Sequence, residues 1–276
     1  MNVMESFNLN NSLAIITGGA GLLGKKHIEA LLEADADVVV FDINDKALKE
    51  LKEYCLDKYK KEILILTVDI TKENEIVKAK EVIFDKYNKY PNILINNAAI
   101  DPKFEKNSKL NKSRLENFEL NQWNLEISVG LTGAMLCSKI FGIEMAKCNK
   151  GVILNIASDL GVIAPDQRLY KQTGLSDNEQ NVKPVTYSVI KHGLIGLTKY
   201  IATYWADKGV RCNAFAPGGV FNNHPDDFLE KVTNLIPMKR MANIDEYKSS
   251  VLFLCSDASS YMNGATLNMD GGRSVW

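Results

Sequence analysis

The chain has 276 residues, 46% of them hydrophobic and 24% charged, with a net charge of −1 at pH 7. That length suits one large α/β domain, and that composition is ordinary for a soluble globular protein. The near balance of charge argues against a nucleic-acid partner and against an acidic membrane surface.

In chain order, an apolar run at 13–17 predicts the first strand. Thr17-Gly18-Gly19-Ala20-Gly21-Leu22-Leu23-Gly24 follows it and opens a helix over 22–34. The spacing of Gly18, Gly21 and Gly24 lets the backbone turn tightly, so that Leu22, Leu23 and their neighbours approach a pyrophosphate at a helix N-terminus. A second strand at 37–41 ends in Asp42-Ile43, with Asp42 18 residues beyond Gly24. A carboxylate there can accept hydrogen bonds from a ribose diol and repels a 2′-phosphate. No Lys or Arg lies within the glycine turn or directly after Asp42, so NAD(H) is expected over NADP(H). Capping of the helix that begins near Asp45 is the competing role for Asp42.

A helix at 45–60, a strand at 63–68, a helix at 72–88 and a strand at 92–96 come next. Asp69-Ile70 ends the third strand, where a side chain can reach an adenine. Asn96-Asn97-Ala98-Ala99 ends the fourth. The small residues permit close backbone approach to a cofactor, and Asn97 can bond it or hold the neighbouring strand.

Beyond a polar segment at 100–120 lie a helix at 121–148, a strand at 152–156, a helix at 185–207, a strand at 210–215, a helix at 244–256 and a last strand at 266–269. Two further segments interrupt this rhythm. Residues 159–184 carry Pro165, Gly174, Pro184 and many polar side chains, and 221–240 surround a short helical pattern at 228–235. Strand and helix alternate throughout, and most strands are apolar on both faces. This predicts an α/β fold: one doubly wound, Rossmann-type parallel sheet of about seven strands, with helices on both faces. No linker or repeat divides it, so 1–276 reads as one nucleotide-binding domain. The polar interruptions at 100–120 and 159–184 follow strand C-termini, the edge where such sheets bind ligands.

Tyr187 and Lys191 stand four apart in Thr-Tyr-Ser-Val-Ile-Lys-His-Gly, on one face of the predicted helix. An ammonium beside a phenol favours the phenolate, which can then serve as an acid or base near neutral pH.

Other residues suggest quieter roles. Cys55, Cys137, Cys148, Cys212 and Cys255 form no Cys-x-x-Cys and read as reduced thiols. His27, His192 and His224 have no partner at metal-ligand spacing, so no metal is expected. The N-terminus lacks a secretory leader pattern and no apolar stretch approaches transmembrane length, which implies a cytoplasmic location.

Together these motifs resemble the short-chain dehydrogenase/reductase family, and the resemblance runs from Leu13 to Gly272. It rests on the glycine turn, Asp42, Asp69, Asn96 to Ala99, Ser158, Tyr187 with Lys191, Asn213-Ala-Phe-Ala-Pro217-Gly218, and the closing Asn263 to Gly272. The resemblance implies hydride transfer between nicotinamide C4 and a carbinol or carbonyl carbon. Tyr187 would exchange the hydroxyl proton. Lys191 would bond the nicotinamide ribose and tune Tyr187, and Ser158 would polarise the substrate oxygen. Pro217 to Val220 would sit under the nicotinamide, with the Val220 backbone on its carboxamide. The chain is similar to bacterial members in surface-glycan and flagellin-modification pathways, which implies a small polar, sugar-derived substrate. The family usually forms dimers or tetramers through its long helices. The apolar breadth of 121–148 and 189–205 points to a homo-tetramer or dimer here.

Three departures stand out. Leu22 occupies the penultimate glycine position, a spacing closer to the family's sugar-nucleotide-modifying branch. Gly130 replaces the asparagine that commonly anchors a water behind the lysine, which puts the full proton relay in doubt. Ser158 and Tyr187 are 29 apart, where a dozen or so is usual. The extra residues include Asp166, Arg168, Tyr170 and Lys171. They would either wall a site for a hydroxyl-rich or anionic substrate or pack on a neighbouring subunit. The segment at 221–240, with His224, is a second candidate lid. Two other functions remain open. One is an NAD-binding regulator or scaffold without catalysis. The other is an epimerase or dehydratase that uses bound NAD transiently.

Overall fold

The computed structural model describes residues 2–100 and 111–276. Its Val-, Ile- and Leu-rich runs form seven strands because only a strand covered on both faces keeps such side chains from water. In chain order the elements are β1 (Leu13–Thr17), α1 (Leu22–Glu33), β2 (Asp37–Asp42), α2 (Asp45–Tyr59), β3 (Leu64–Thr67), α3 (Glu73–Tyr87), β4 (Ile93–Asn96), α4 (Leu120–Ile127), α5 (Gly133–Lys147), β5 (Gly151–Ile156), α6 (Val185–Tyr204), β6 (Val210–Pro217), α7 (Asp226–Asn234), α8 (Lys248–Cys255) and β7 (Thr266–Met269). The strands pair in parallel in the order β3-β2-β1-β4-β5-β6-β7. Strand order therefore reverses between β1 and β4, and a crevice opens there at the strand C-termini.

Alternate strand residues feed two cores. Ile16, Val38, Val40, Ile95, Leu154 and Phe215 meet Ile28, Leu31, Leu48, Val251 and Leu254 of α1, α2 and α8. Leu13, Ile15, Val39, Phe41, Leu94 and Ile153 meet Ile76, Ile83, Phe141 and Ile201 of α3, α5 and α6. A smaller third cluster joins Leu169 to Val232, Ile236 and Met241. It links the segment after β5 to α7, away from the sheet.

Several sequence expectations need correction. The helix expected at 121–148 is broken: a π-turn, Ser128–Thr132, separates α4 from α5. The helix expected at 244–256 starts as a 3-10 turn, Ile244–Tyr247. The helix expected at 185–207 ends at Tyr204, and a 3-10 turn, Ala206–Lys208, follows. One helical run, Leu120–Lys147, does reach membrane-spanning length and apolarity, contrary to expectation. More than half of its apolar window is buried against the sheet, where Cys137, Phe141 and Met145 lie in the core. Of the expected polar segment at 100–120, residues 101–110 lie outside the described residues. Cys148 is exposed and the other four thiols are buried.

Candidate active site

The glycine turn is built for backbone contact. Gly18 has φ +61°, and a Cβ there would stand 2.7 Å from Ala98 Cα. A Cβ on Gly24 would stand 2.5 Å from the Gly18 carbonyl oxygen, so the helix can close on the turn only with glycine. Gly21 caps α1 without a side-chain hydrogen bond, and no acid occupies the first turn. The first amides of α1 therefore lack a side-chain acceptor, and the positive end of the helix dipole is unopposed. This cradle fits a pyrophosphate. Leu22 is exposed beside it.

The Asp42 carboxylate accepts from the Ala20 amide at 3.1 Å and from the Asn44 amide at 3.0 Å. It thus bridges the glycine turn and the start of α2. Capping of α2 falls to Asn44, whose side chain accepts from the Ala47 amide, so the competing role for Asp42 is removed. Ile43 is 75% exposed at the same edge, an apolar surface that a flat base can cover. Asp69 is engaged by its own loop: it accepts from the Thr71 hydroxyl and amide and pairs with Lys72. The Thr71 hydroxyl and the other donors there hold its carboxyl below the usual range. The Ile70 side chain is buried against Gly133, which leaves only its backbone for a ligand.

Asn97 holds the neighbouring strand. Its side-chain amide donates to the carbonyls of Thr17 and Gly18 at 3.1 and 2.9 Å. The Thr17 hydroxyl accepts from the amides of Asn97 and Ala98. Behind them a buried polar chain joins Asn96 to Ser138 and Asn155, and Asn155 to Thr198. Across the crevice β6 ends at Pro217, and Gly218 donates its amide to Met269. Val220 forms a parallel bridge with Ala242 through the flanking Gly219 and Phe221 backbone groups. A parallel bridge of this kind directs the N–H and C=O of Val220 itself to the opposite side.

Tyr187 and Lys191 share one face of α6, as the spacing predicts. The Lys191 ammonium lies 5.8 Å from the Tyr187 ring centroid and donates to the Ile156 carbonyl at 2.7 Å. That bond ties the helix to the end of β5, two residues before Ser158. Sequence reasoning missed a second cation: Lys183 Nζ stands 3.8 Å from the same centroid. Its spacing, four residues before Tyr187, was a usable signal. Ser158 is buried at the end of β5 and caps the short turn Asp159–Gly161, accepting from the Leu160 amide at 3.2 Å.

Gly130 lies at the centre of the π-turn. A Cβ there would be 2.8 Å from Ile190 Cγ2, so α6 fills the space an asparagine side chain would need. The expected loss of that relay member thus has a steric counterpart. One turn earlier, Glu126 is buried and accepts from the hydroxyl of Thr186, the residue before Tyr187.

The segment 159–184 is ordered largely by its own polar bonds. Gln180 clamps the backbone of Gln172 and Leu175, and Gln167 exchanges two bonds with Lys183. Leu169 and Tyr170 anchor it on α7. The two expected lids therefore form one unit. Arg168 pairs with Asp166, its side chain 83% exposed. His224 stacks on Phe228.

Among the described residues, a depression of about 710 Å³ lies at the N-terminal edge of the sheet, near Asn92, Lys150 and Arg211. It faces away from the groups above. A smaller groove of about 350 Å³ runs beside α6 past Arg114, Gln167, Lys183 and Ser188. The C-terminal edge carries the convergent chemistry, so the site is placed there. The described residues contain no cluster of three or more His, Cys, Asp or Glu side chains able to hold a metal.

A family model described as enoyl-(acyl carrier protein) reductase matches residues 22–274. Post-translational flagellin modification protein A of Campylobacter coli is 28% identical over 264 residues, covering 96% of this chain and 98% of that one. NAD-dependent glycerol dehydrogenase of Listeria innocua is 29% identical over 276 residues, covering 98% and 97%. The solved short-chain dehydrogenase of Leptospira borgpetersenii with bound NAD+ superposes with a TM-score of 0.82 at 31% identity, covering 98% and 96%.

Proposed function

The chain belongs to the short-chain dehydrogenase/reductase family, and on that premise we propose that it is an NAD-dependent enzyme interconverting a secondary alcohol and a carbonyl on a small polyol or sugar derivative. One observation carries the reading: Lys191, bonded to the end of β5, and Lys183 both stand by the ring of Tyr187. Two ammonium groups near one phenol favour its ionised form, which suits it to take a hydroxyl proton.

The nicotinamide, when bound, supplies the acceptor for two electrons and a hydrogen at C4. The protein supplies geometry and proton handling. Tyr187 takes the proton from the substrate hydroxyl as carbonyl character develops. Ser158 holds the same oxygen from the other side. Lys191 fixes a ribose hydroxyl and the charge on Tyr187. Gly18, Gly21, Leu22, Leu23 and Gly24 present amides to the pyrophosphate. Asp42 would accept from the adenosine ribose, Ile43 would cover the adenine, and Asp69 with the Ile70 backbone would flank it. Ala98 lets the cofactor pass close to β4. Pro217, Gly218 and Val220 line the nicotinamide end. A relative named for glycerol supports a hydroxyl-rich substrate. The whole chain acts as one domain in a cytoplasmic homo-oligomer, dimer or tetramer.

A panel of glycerol, other polyols, sugars and aldonic acids tests this. Wild-type protein should form NADH from at least one member, and Tyr187→Phe should not. NADH binding without turnover of any member would favour a scaffold instead. Isomerised product with no net NADH would favour an epimerase.

A further inference from the structure

Asp159, directly after Ser158, is a buried carboxylate that the proposed reaction does not use. Its Oδ1 accepts from the Ser158 hydroxyl at 2.8 Å and from the Leu160 amide at 2.8 Å. Its Oδ2 accepts from Arg273 Nη1 at 2.9 Å. The side chains of Asp159 and Arg273 are only 5% and 10% exposed. Arg273 belongs to the last turn of the chain, 114 residues away, and its amide donates to the Asp270 carbonyl. The turn that carries Asp159 is pressed onto α6: a Cβ on Gly161 would stand 2.8 Å from the Lys191 carbonyl oxygen. A chain of contacts therefore runs from the C-terminus through Asp159 to Ser158, beside Lys191.

A serine hydroxyl has one proton, and a carboxylate only accepts. While Asp159 holds that proton, Ser158 cannot give it to a substrate oxygen. A bare buried carboxylate would hold it firmly and would repel negative charge growing nearby. The guanidinium weakens both effects.

We infer that Asp159 and Arg273 are positioning residues for Ser158. Arg273 neutralises the carboxylate that parks the serine proton, so the hydroxyl can swing to the substrate oxygen as that oxygen becomes negative. This deepens the dehydrogenase reading and rests on it. No proton leaves the serine; only its hydrogen bond changes partner.

The kinetic test uses the full-length protein and the panel alcohol that wild type oxidises fastest. Arg273→Met should lower kcat about tenfold or more, below the roughly 10²–10³ seen when an oxyanion donor is lost altogether, with KM nearly unchanged. The double variant Asp159→Asn with Arg273→Met removes the charge and should recover most of that loss. Folding and cofactor binding are controlled by cooperative melting and by NADH fluorescence titration. A folded, NADH-binding Arg273→Met protein with wild-type kcat would overturn the inference. So would a raised KM at unchanged kcat, which would make Arg273 a substrate anchor, or a double variant no faster than the single.

A second measurement needs no substrate. In thermal melts, Asp159→Ala should cost more in wild type than in a Ser158→Ala background, by about 2 °C or more, because the hydroxyl loses its partner only in the former. Equal costs would show that Ser158 and Asp159 are not coupled. Absence of turnover by wild type on every alcohol would remove the proposed reaction and leave this network to be judged by the melts alone.

Discussion

The crevice has two walls built on different principles. The proposed cofactor wall, β1 to β4 with α1, is held by close backbone approach and by short side chains bonded to backbone. Gly18 touches Ala98, Gly24 closes on Gly18, and Asn97 bonds two carbonyls of the turn. The proposed substrate wall, 159–184 with α7 and the chain end, is held by longer side chains that reach between loops. Gln180 and Gln167 clamp loops, Leu169 anchors a satellite cluster, Trp276 donates to the Leu235 carbonyl, and Arg273 reaches Asp159. Backbone close approach tolerates almost no substitution, whereas side-chain clamps can be exchanged one at a time. On the proposed function, one wall keeps a common cofactor while the other is open to remodelling for a particular substrate.

The sharpest way to break this contrast lies where the walls meet. Tyr187→Phe should lower turnover by about 10²–10⁴ and leave the NADH dissociation constant within about twofold. A comparable loss of NADH affinity would move Tyr187 to the cofactor wall. Next in size, Asp42→Ala should weaken NADH about 10-fold to 100-fold, as loss of charge-assisted hydrogen bonds predicts, and narrow the gap to NADPH. Fluorescence titration with both cofactors reads this, and unchanged preference would contradict the assignment of Asp42.

Acid should also act first on the cofactor wall. His27 lies buried in α1 behind the glycine turn. Asn97 approaches its ring, yet neither nitrogen meets a partner with hydrogen-bond geometry. Burial pushes its pKa down from 6.5 to about 4. The unfolded chain takes up this proton at higher pH than the fold does. Stability is therefore complete above about pH 6.5 and falls between 6.5 and 4, by about 3 kcal/mol in all. Denaturant melts across that range should show the slope, and His27→Leu should flatten it. A wild type with level stability down to pH 4 would contradict the account.

Smaller effects are expected at the π-turn and on the other wall. Gly130→Ala drives a Cβ into Ile190 and should cost about 1–3 kcal/mol in chemical denaturation. Arg168→Ala removes an exposed ion pair and should change stability by less than about 0.5 kcal/mol. If 159–184 selects substrate through this residue, KM rises for anionic members of the panel; unchanged KM would limit the segment to packing on α7.

The same contrast explains what the sequence revealed. β1 and β7 were legible to the residue because Gly18 and Asp270 open turns that end the strands abruptly. The glycine spacing, Asp42 and the Tyr187–Lys191 pair depend on short-range geometry, which spacing encodes. The π-turn around Gly130 was not legible as such, and the contact that excludes a side chain there comes from Ile190, 60 residues on in α6. Nor was the Asp159–Arg273 pair, which joins residues 114 apart. The second lysine by Tyr187 and the Asn44 cap were within reach of spacing rules, but neighbouring motifs masked them.

Isotope transfer tests the central claim most directly. Wild-type protein, NAD+ and the fastest panel alcohol, deuterated at its carbinol carbon, should yield NADH carrying one deuterium at nicotinamide C4, and Tyr187→Phe should yield almost none. Deuterium that appears in water, or stays wholly in the organic product while NAD+ is unchanged, would contradict direct hydride transfer in this crevice.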